Sequence, residues 1–206
     1  MTILKKAVAL VAYTAFGTAA ISVPAHTQPG EEGSGPPALA RSLLPARAGG
    51  VTLLVTSNGL QNGGSMDERF TQDGDNMSPP LRWSRGPSGT RSYAVIVEDT
   101  GVDRPEPIVH WLVYDIPPSI RILPVGVPRD DELESGAKQG KNVRGEAGYI
   151  GPKPPAGQTH PYHFQVFALN TRLNMDPAEA DRDALLDAMR GHILGSGDIV
   201  ALYTGK

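Results

Sequence analysis

The stretch Arg91–Asp99, RSYAVIVED, sets the tightest limit on what this chain can fold into. Its middle is apolar at consecutive positions, so both faces of the strand need cover. Such a strand belongs in the centre of a sandwich. The 24 glycines and 19 prolines among 206 residues add many turns and short elements. Together these favour a mainly β domain over a helical bundle.

Four other runs read as strands. They are Val51–Ser57 (VTLLVTS), Ile108–Pro117 (IVHWLVYDIP), His160–Asn170 (HPYHFQVFALN) and Asp198–Gly205 (DIVALYTG). Strict alternation along the second puts Ile108, His110, Leu112 and Tyr114 on one face, and Val109, Trp111 and Val113 on the other. Along the third, His160, Tyr162, Phe164 and Val166 share a face. One late helix is expected, with Asp176 as N-cap, Pro177 at N1 and Glu179 at N3. Its apolar stripe is Ala184, Leu185, Ala188 and Met189, and Gly191 and Gly195 are its candidate stops. The LGSGD stretch, Leu194–Asp198, reads as a turn by composition.

The N-terminus carries Lys5 and Lys6 ahead of an uncharged run from Ala7 to Val23, and VPA at 23–25 has the form of a signal-peptidase site. Residues 1–25 are therefore read as a signal peptide, with a retained anchor as the alternative. The expected location is exported, periplasmic or secreted, with no membrane span after cleavage. Residues 26–50 are rich in Pro and Gly and read as a linker or disordered tail, in which ALARSLL has the makings of one helical turn. The folded domain is expected over 51–206. The net charge of −3 and the lack of a basic cluster argue against nucleic-acid binding. With no cysteine there is no disulfide, thiolate nucleophile or thiolate metal site.

Common enzyme signatures are missing: no G-x-S-x-G, P-loop, G-x-G-x-x-G or H-E-x-x-H. Chemistry concentrates in three places. Asp99 ends the central strand and is followed by TGVDRPEP with Asp103. His110 opens the next strand beside Trp111. A Gly/Pro loop within Gly148–Phe164 leads into His160 and Tyr162. Each has a plainer reading, as a turn cap, a satisfied strand histidine and a simple loop. His26 falls in the tail, His163 on the face opposite His160, and His192 at a helix end in a structural role.

These residues sit in a pattern. DGDNMSPPLRW (Asp73–Trp83) resembles the D-G-x-N-x-S-P-P-L-x-W opening of the phosphatidylethanolamine-binding protein family, most closely its bacterial, Raf-kinase-inhibitor-like branch. In order follow PSGTRSYAVIVED, VHWLVYDIP, GYIGPKPPAGQTHPYHFQVFALN and MRGHIL, each similar to a family segment. The resemblance spans roughly Val51 to Gly205. It implies an antiparallel β-sandwich of a large central sheet and a smaller sheet, with a C-terminal helical segment. It also implies a small anion- or phosphate-accepting pocket.

Carried over by motif, the ligand-binding residues are Asp99, Asp103, His110, Gly151, Pro154, His160 and Tyr162. The chain departs from the pattern in three places. DTGVDRPEP replaces D-P-D-A-P, which loosens the placement of Asp103. Pro161 replaces an arginine and removes a backbone donor, as at an edge or bulge. Lys153 replaces a common cysteine, and its ammonium either approaches a bound anion or points to solvent.

The expected function is a non-enzymatic binding protein for a small anion or phospholipid head group, with no cofactor and no metal. The other form of this reading is a pocket rim that binds and inhibits a partner protein; the kinase inhibition known in the family's eukaryotic branch is not carried over, since an exported bacterial-type protein would rarely meet such a kinase. The alternatives are a hydrolase using an Asp–His pair in the same pocket, and a metal site built from Asp99, His110 and His160.

Overall fold

The computed structural model describes residues 36–206. The expected signal peptide and His26 lie outside the described residues. Ten strands and two α-helices are present in the order α1 (Ala40–Leu43), β1 (Val51–Thr52), β2 (Val55–Thr56), β3 (Gly64–Ser65), β4 (Leu81–Trp83), β5 (Ser92–Asp99), β6 (Ile108–Ile116), β7 (Ile122–Leu123), β8 (Lys138–Gln139), β9 (Thr159–Leu169), α2 (Arg182–Met189) and β10 (Ile193–Thr204). The larger sheet runs β1-β10-β9-β5-β6-β8, with β3 also on β10, and the smaller runs β2-β4-β7. Pairing is antiparallel except for the short β1 and β3 contacts with β10.

The central strand behaves as its composition requires. All eight residues of β5 are buried. Tyr93, Val95 and Val97 pack with Leu81, Trp83 and Leu123 of the smaller sheet. Ala94 and Ile96 face the other way, against Leu185, Leu186 and Met189 of α2 and Ala40 and Leu44 at α1. The domain is thus three layers: small sheet, large sheet, helices.

Several boundaries differ from expectation, each for a physical reason. Val51–Ser57 is two strands. The chain leaves the large sheet after Thr52 and joins the small sheet at Val55. The LGSGD stretch lies inside β10 and is not a turn. A Cβ on Gly197 would collide with the Leu53 carbonyl, and one on Gly195 would lie 2.6 Å from the Val51 carbonyl. These glycines let the chain at β1 close on β10. Asp176 caps only a 3-10 turn over Pro177–Glu179; α2 is capped by Asp181, which accepts from Ala184 N–H. Gly191, at φ +77°, follows the helix end as expected. Gly195 does not stop it.

The largest correction is at the N-terminal side. Part of the expected linker, from Ala38 to Leu44, is fixed to the helical layer. Ala40 and Leu44 are buried. The Ala40 N–H donates to Glu98 Oε2 (2.8 Å) and the Arg41 N–H to Gln165 Oε1 (2.8 Å). The Arg41 guanidinium meets Asp198 at 2.6 Å. Glu98 is fully buried and is satisfied by Arg182 Nε at 2.7 Å and Gln165 Nε2 at 2.7 Å. The single helical turn expected in ALARSLL is present as α1, but the docking of this segment was not expected, because its hold is mostly backbone N–H to buried side chain.

Removing one partner of a buried ion pair strands the other charge. Arg182→Met is therefore expected to cost about 3–5 kcal/mol in urea unfolding. The double variant Arg182→Met/Glu98→Gln should recover a large part of it; a single variant within 1 kcal/mol of wild type, a bound set by ordinary surface changes, would refute the pairing.

Candidate functional site

The site lies at the end of β5, on the face toward the small sheet. Asp99 continues the Val95, Val97 row and is the cross-strand neighbour of Tyr162 on β9. His160 lies two residues before Tyr162 on the same face, as alternation requires. His160 Nδ1 donates to Asp99 Oδ2 at 2.8 Å, and the Gly101 N–H donates to Asp99 Oδ1 at 2.7 Å.

His110 reaches the site by an irregularity. Val97 pairs with Trp111 but the next residue, Glu98, pairs with Val109. His110 is therefore an extra residue on β6, a β-bulge, which re-aims a side chain locally. It puts His110 on the same side as Trp111, not opposite it as strict alternation implied. Its ring then meets Tyr162 edge-on, with centroids 5.1 Å apart. Ile150 grips it twice: the Ile150 N–H donates to the His110 carbonyl (2.9 Å), and His110 Nδ1 donates to the Ile150 carbonyl (2.7 Å).

Asp99, His110, His160 and Tyr162 are 3%, 4%, 5% and 1% exposed, yet all four line one cavity of about 460 Å³. Such burial of polar groups is costly unless partners satisfy them. Burial lowers the His110 pKa from its ordinary value, against the opposing effects of the Ile150 hydrogen bond and the Asp99 charge. Burial, reinforced by Asp99, pushes the Tyr162 hydroxyl well above its ordinary range. His110 is thus a neutral ring at pH 7 and Tyr162 a protonated phenol. The wall also includes Gln72, Gly101, Lys153, Pro154 and Gln158, and Asp103 sits exposed at the mouth.

The predicted residues are brought together with one exception. Gly151 does not line the cavity. Its N–H donates to Asn76 Oδ1 at 2.7 Å, so it is not free for an anion. A Cβ there would lie 2.5 Å from the Phe70 carbonyl, so glycine permits a close backbone crossing. Lys153 lines the cavity while its ammonium stands 3.6 Å from Asp73. Pro161 is not at an edge, since β9 pairs on both sides. Its carbonyl accepts from Thr100 N–H at 3.4 Å, beyond the end of β5, so the missing donor faces no ladder partner.

Asp73–Trp83 turns out to brace this wall. Asn76, at φ +55°, holds Gly151, and Leu81 and Trp83 are buried in the core. Among the described residues no three His, Asp or Glu side chains gather as a set able to hold a metal ion, which includes Asp99, His110 and His160.

The phosphatidylethanolamine-binding protein family model matches residues 56–204. The chain belongs to this family. A protein of Methanothermobacter thermautotrophicus named UPF0098 protein is 38% identical over 150 residues, covering 72% of this chain and 97% of its own. The crystal structure of Escherichia coli YbcL, titled a new member of the mammalian family, matches with TM-score 0.70 and 32% identity, over 76% of this chain and 100% of its own. A homologue from Chlamydia trachomatis matches with TM-score 0.67 and 30% identity, over 75% of this chain and 99% of its own. These likenesses support the two-sheet, mainly β fold described above.

Sequence reasoning missed Ile150, Gly101 and Gln158 within this family site. Ile150 acts through its backbone, which leaves no side-chain signal. Gly101 lies against the His160 ring, where a Cβ would come 2.5 Å from Cγ. Gly101→Ala should therefore displace the imidazole and cost about 1–3 kcal/mol, the usual range for overpacking. The checks are urea unfolding and the His160 ring resonances by NMR; an unmoved ring with unchanged stability would contradict the contact.

Proposed function

We propose that the protein is a non-enzymatic binding protein whose cavity takes a small oxyanion, such as phosphate or the head group of a phospholipid. The observation that carries this reading is the convergence of four buried polar side chains on one open cavity. Asp99 and His160 satisfy each other, but His110 Nε2 is left without a hydrogen-bond partner among the described residues. Here Tyr162 and the Lys153 ammonium supply donors for an oxyanion, while His160, whose Nδ1 hydrogen is taken by Asp99, can donate through Nε2 only in its doubly protonated form. The pair Asp99 and His160 keeps the carboxylate from repelling it, and Asp103 at the mouth suits the ammonium of a zwitterionic head group. Gly151 plays a supporting part, holding the loop with its N–H already used.

In this proposal the protein works outside the cytoplasm, periplasmic or secreted, which rests on the basic and then apolar N-terminus alone. A partner protein engaging the cavity rim is compatible with the reading. Among the described residues no helix is long and apolar enough to cross a membrane.

A second reading is favoured by one observation, the buried Asp99–His160 hydrogen bond at 2.8 Å, a unit able to move a proton. As a hydrolase the site would have to activate water, because among the described residues no Ser, Thr or Cys lines the cavity. The test is isothermal titration with inorganic phosphate and phosphoethanolamine, together with turnover of a phosphoester panel. Binding weakened at least tenfold in both Asp99→Ala and His160→Ala, without turnover, is the expected result. Unchanged affinity in both variants would remove the binding reading. Turnover lost in His110→Ala would replace it with the hydrolase.

A further inference from the structure

We propose that the cavity takes up its oxyanion together with one proton, held between His110 Nε2 and a ligand oxygen, and so prefers a phosphate monoester to a diester. The inference rests on the oxyanion reading above and names the ligand class within it.

The argument starts from hydrogen bookkeeping on one ring. The Ile150 carbonyl can only accept, so His110 Nδ1 carries the hydrogen of their 2.7 Å bond. In the neutral ring Nε2 is then a bare lone pair. That nitrogen is buried and has no hydrogen-bond partner among the described residues. His110 lines the cavity, and an orphaned buried acceptor there is satisfied by a ligand that brings a donor once the ring shifts enough to expose Nε2. A fully deprotonated phosphate brings only lone pairs, and lone pair would face lone pair. One hydrogen between Nε2 and a phosphate oxygen removes the conflict. It arrives on the ligand as P–OH, or it is taken from water by the ring, which then donates to the dianion. Both routes give a complex with the same composition.

The groups facing His110 are consistent with this. Asp99 on β5 favours a proton on the ring, while His160 on β9 disfavours it. Tyr162 presents its ring edge-on to His110, and Tyr149 on the loop before Ile150 is a buried phenol that stays protonated. Asp103 and Lys153 stand at the mouth with opposite charges. Glu98, next to Asp99, points to the other face of the sheet and pairs with Arg182. A diester has no exchangeable hydrogen on phosphorus oxygen, so only the ring can supply one, against the cost of burial.

The probes are methyl phosphate and dimethyl phosphate, which carry no other donor. The second pKa of a phosphate monoester is near 6 and histidine's ordinary value is about 6.5. Above about pH 7 both are deprotonated, so methyl phosphate affinity should fall about tenfold per pH unit up to pH 9. Dimethyl phosphate should bind at least about tenfold more weakly at pH 6. Titrations at pH 8 in buffers of different ionisation enthalpy should show one proton taken up per methyl phosphate. In His110→Gln the amide offers donors without titrating, and the profile should become flat. The His110 ring nitrogen resonances in the wild-type protein read the same atom without a substitution: Nε2 should shift on adding methyl phosphate while Nδ1 stays bonded.

Equal affinity for the two esters, a flat wild-type profile, an unshifted Nε2, or an unchanged slope in His110→Gln would each overturn the proposal while leaving the oxyanion site standing. No binding of either ester at any pH would overturn the oxyanion reading itself, and this inference with it.

Discussion

The double-sided burial of β5 is the constraint from which the rest follows. A strand with apolar side chains on both faces must be covered twice, by a second sheet on one side and by helices on the other. The strand then ends in two consecutive carboxylates, which alternation sends into different layers. Glu98 enters the helical layer and is neutralised by Arg182, with Ala40 and Gln165 completing its hydrogen bonds. Asp99 lies on the opposite face, the one toward the small sheet, and holds His160 at the strand end. One strand end thereby organises both the anchoring of the N-terminal segment and the polar end of the cavity.

The cavity owes its composition to a few backbone devices. β9 delivers His160 and Tyr162 by plain alternation. His110 arrives through the bulge on β6, and Ile150 fixes its ring. Asn76 and Gly151 brace the proline-rich loop from behind, and Gly101 closes over His160. The result is a set of polar groups held by elements that are themselves buried, which is how a site keeps its geometry before any ligand arrives.

The centre of the fold was legible in the sequence because its signals are local. The apolar run of β5, the shared face of His160 and Tyr162, and the αL glycine at 191 each follow from a few neighbouring residues. What was not legible depends on partners far along the chain. Gly195 and Gly197 look like a turn until Val51 and Leu53 are laid against them. Residues 38–44 show their helical turn but not their docking, because Glu98, Gln165 and Asp198, which hold them, lie far along the chain. Ordered family-like segments pointed to Asp99, His110 and His160, yet they also drew in Gly151, whose role is to let two backbones cross.

The extra residue in β6 separates two demands that are met together elsewhere in the chain. Deleting His110 would remove one of the two irregularities in the ladder between β5 and β6, the other lying between Tyr93 and Val95, and by backbone criteria the sheet would be more regular. The cavity would lose one of its two histidine rings, the one whose Nε2 has no partner among the described residues. The irregularity costs the scaffold ladder regularity and gives the cavity a wall residue that plain alternation would send to the other face. A redesign guided by sheet regularity alone would remove it first, and the cavity wall would change with it.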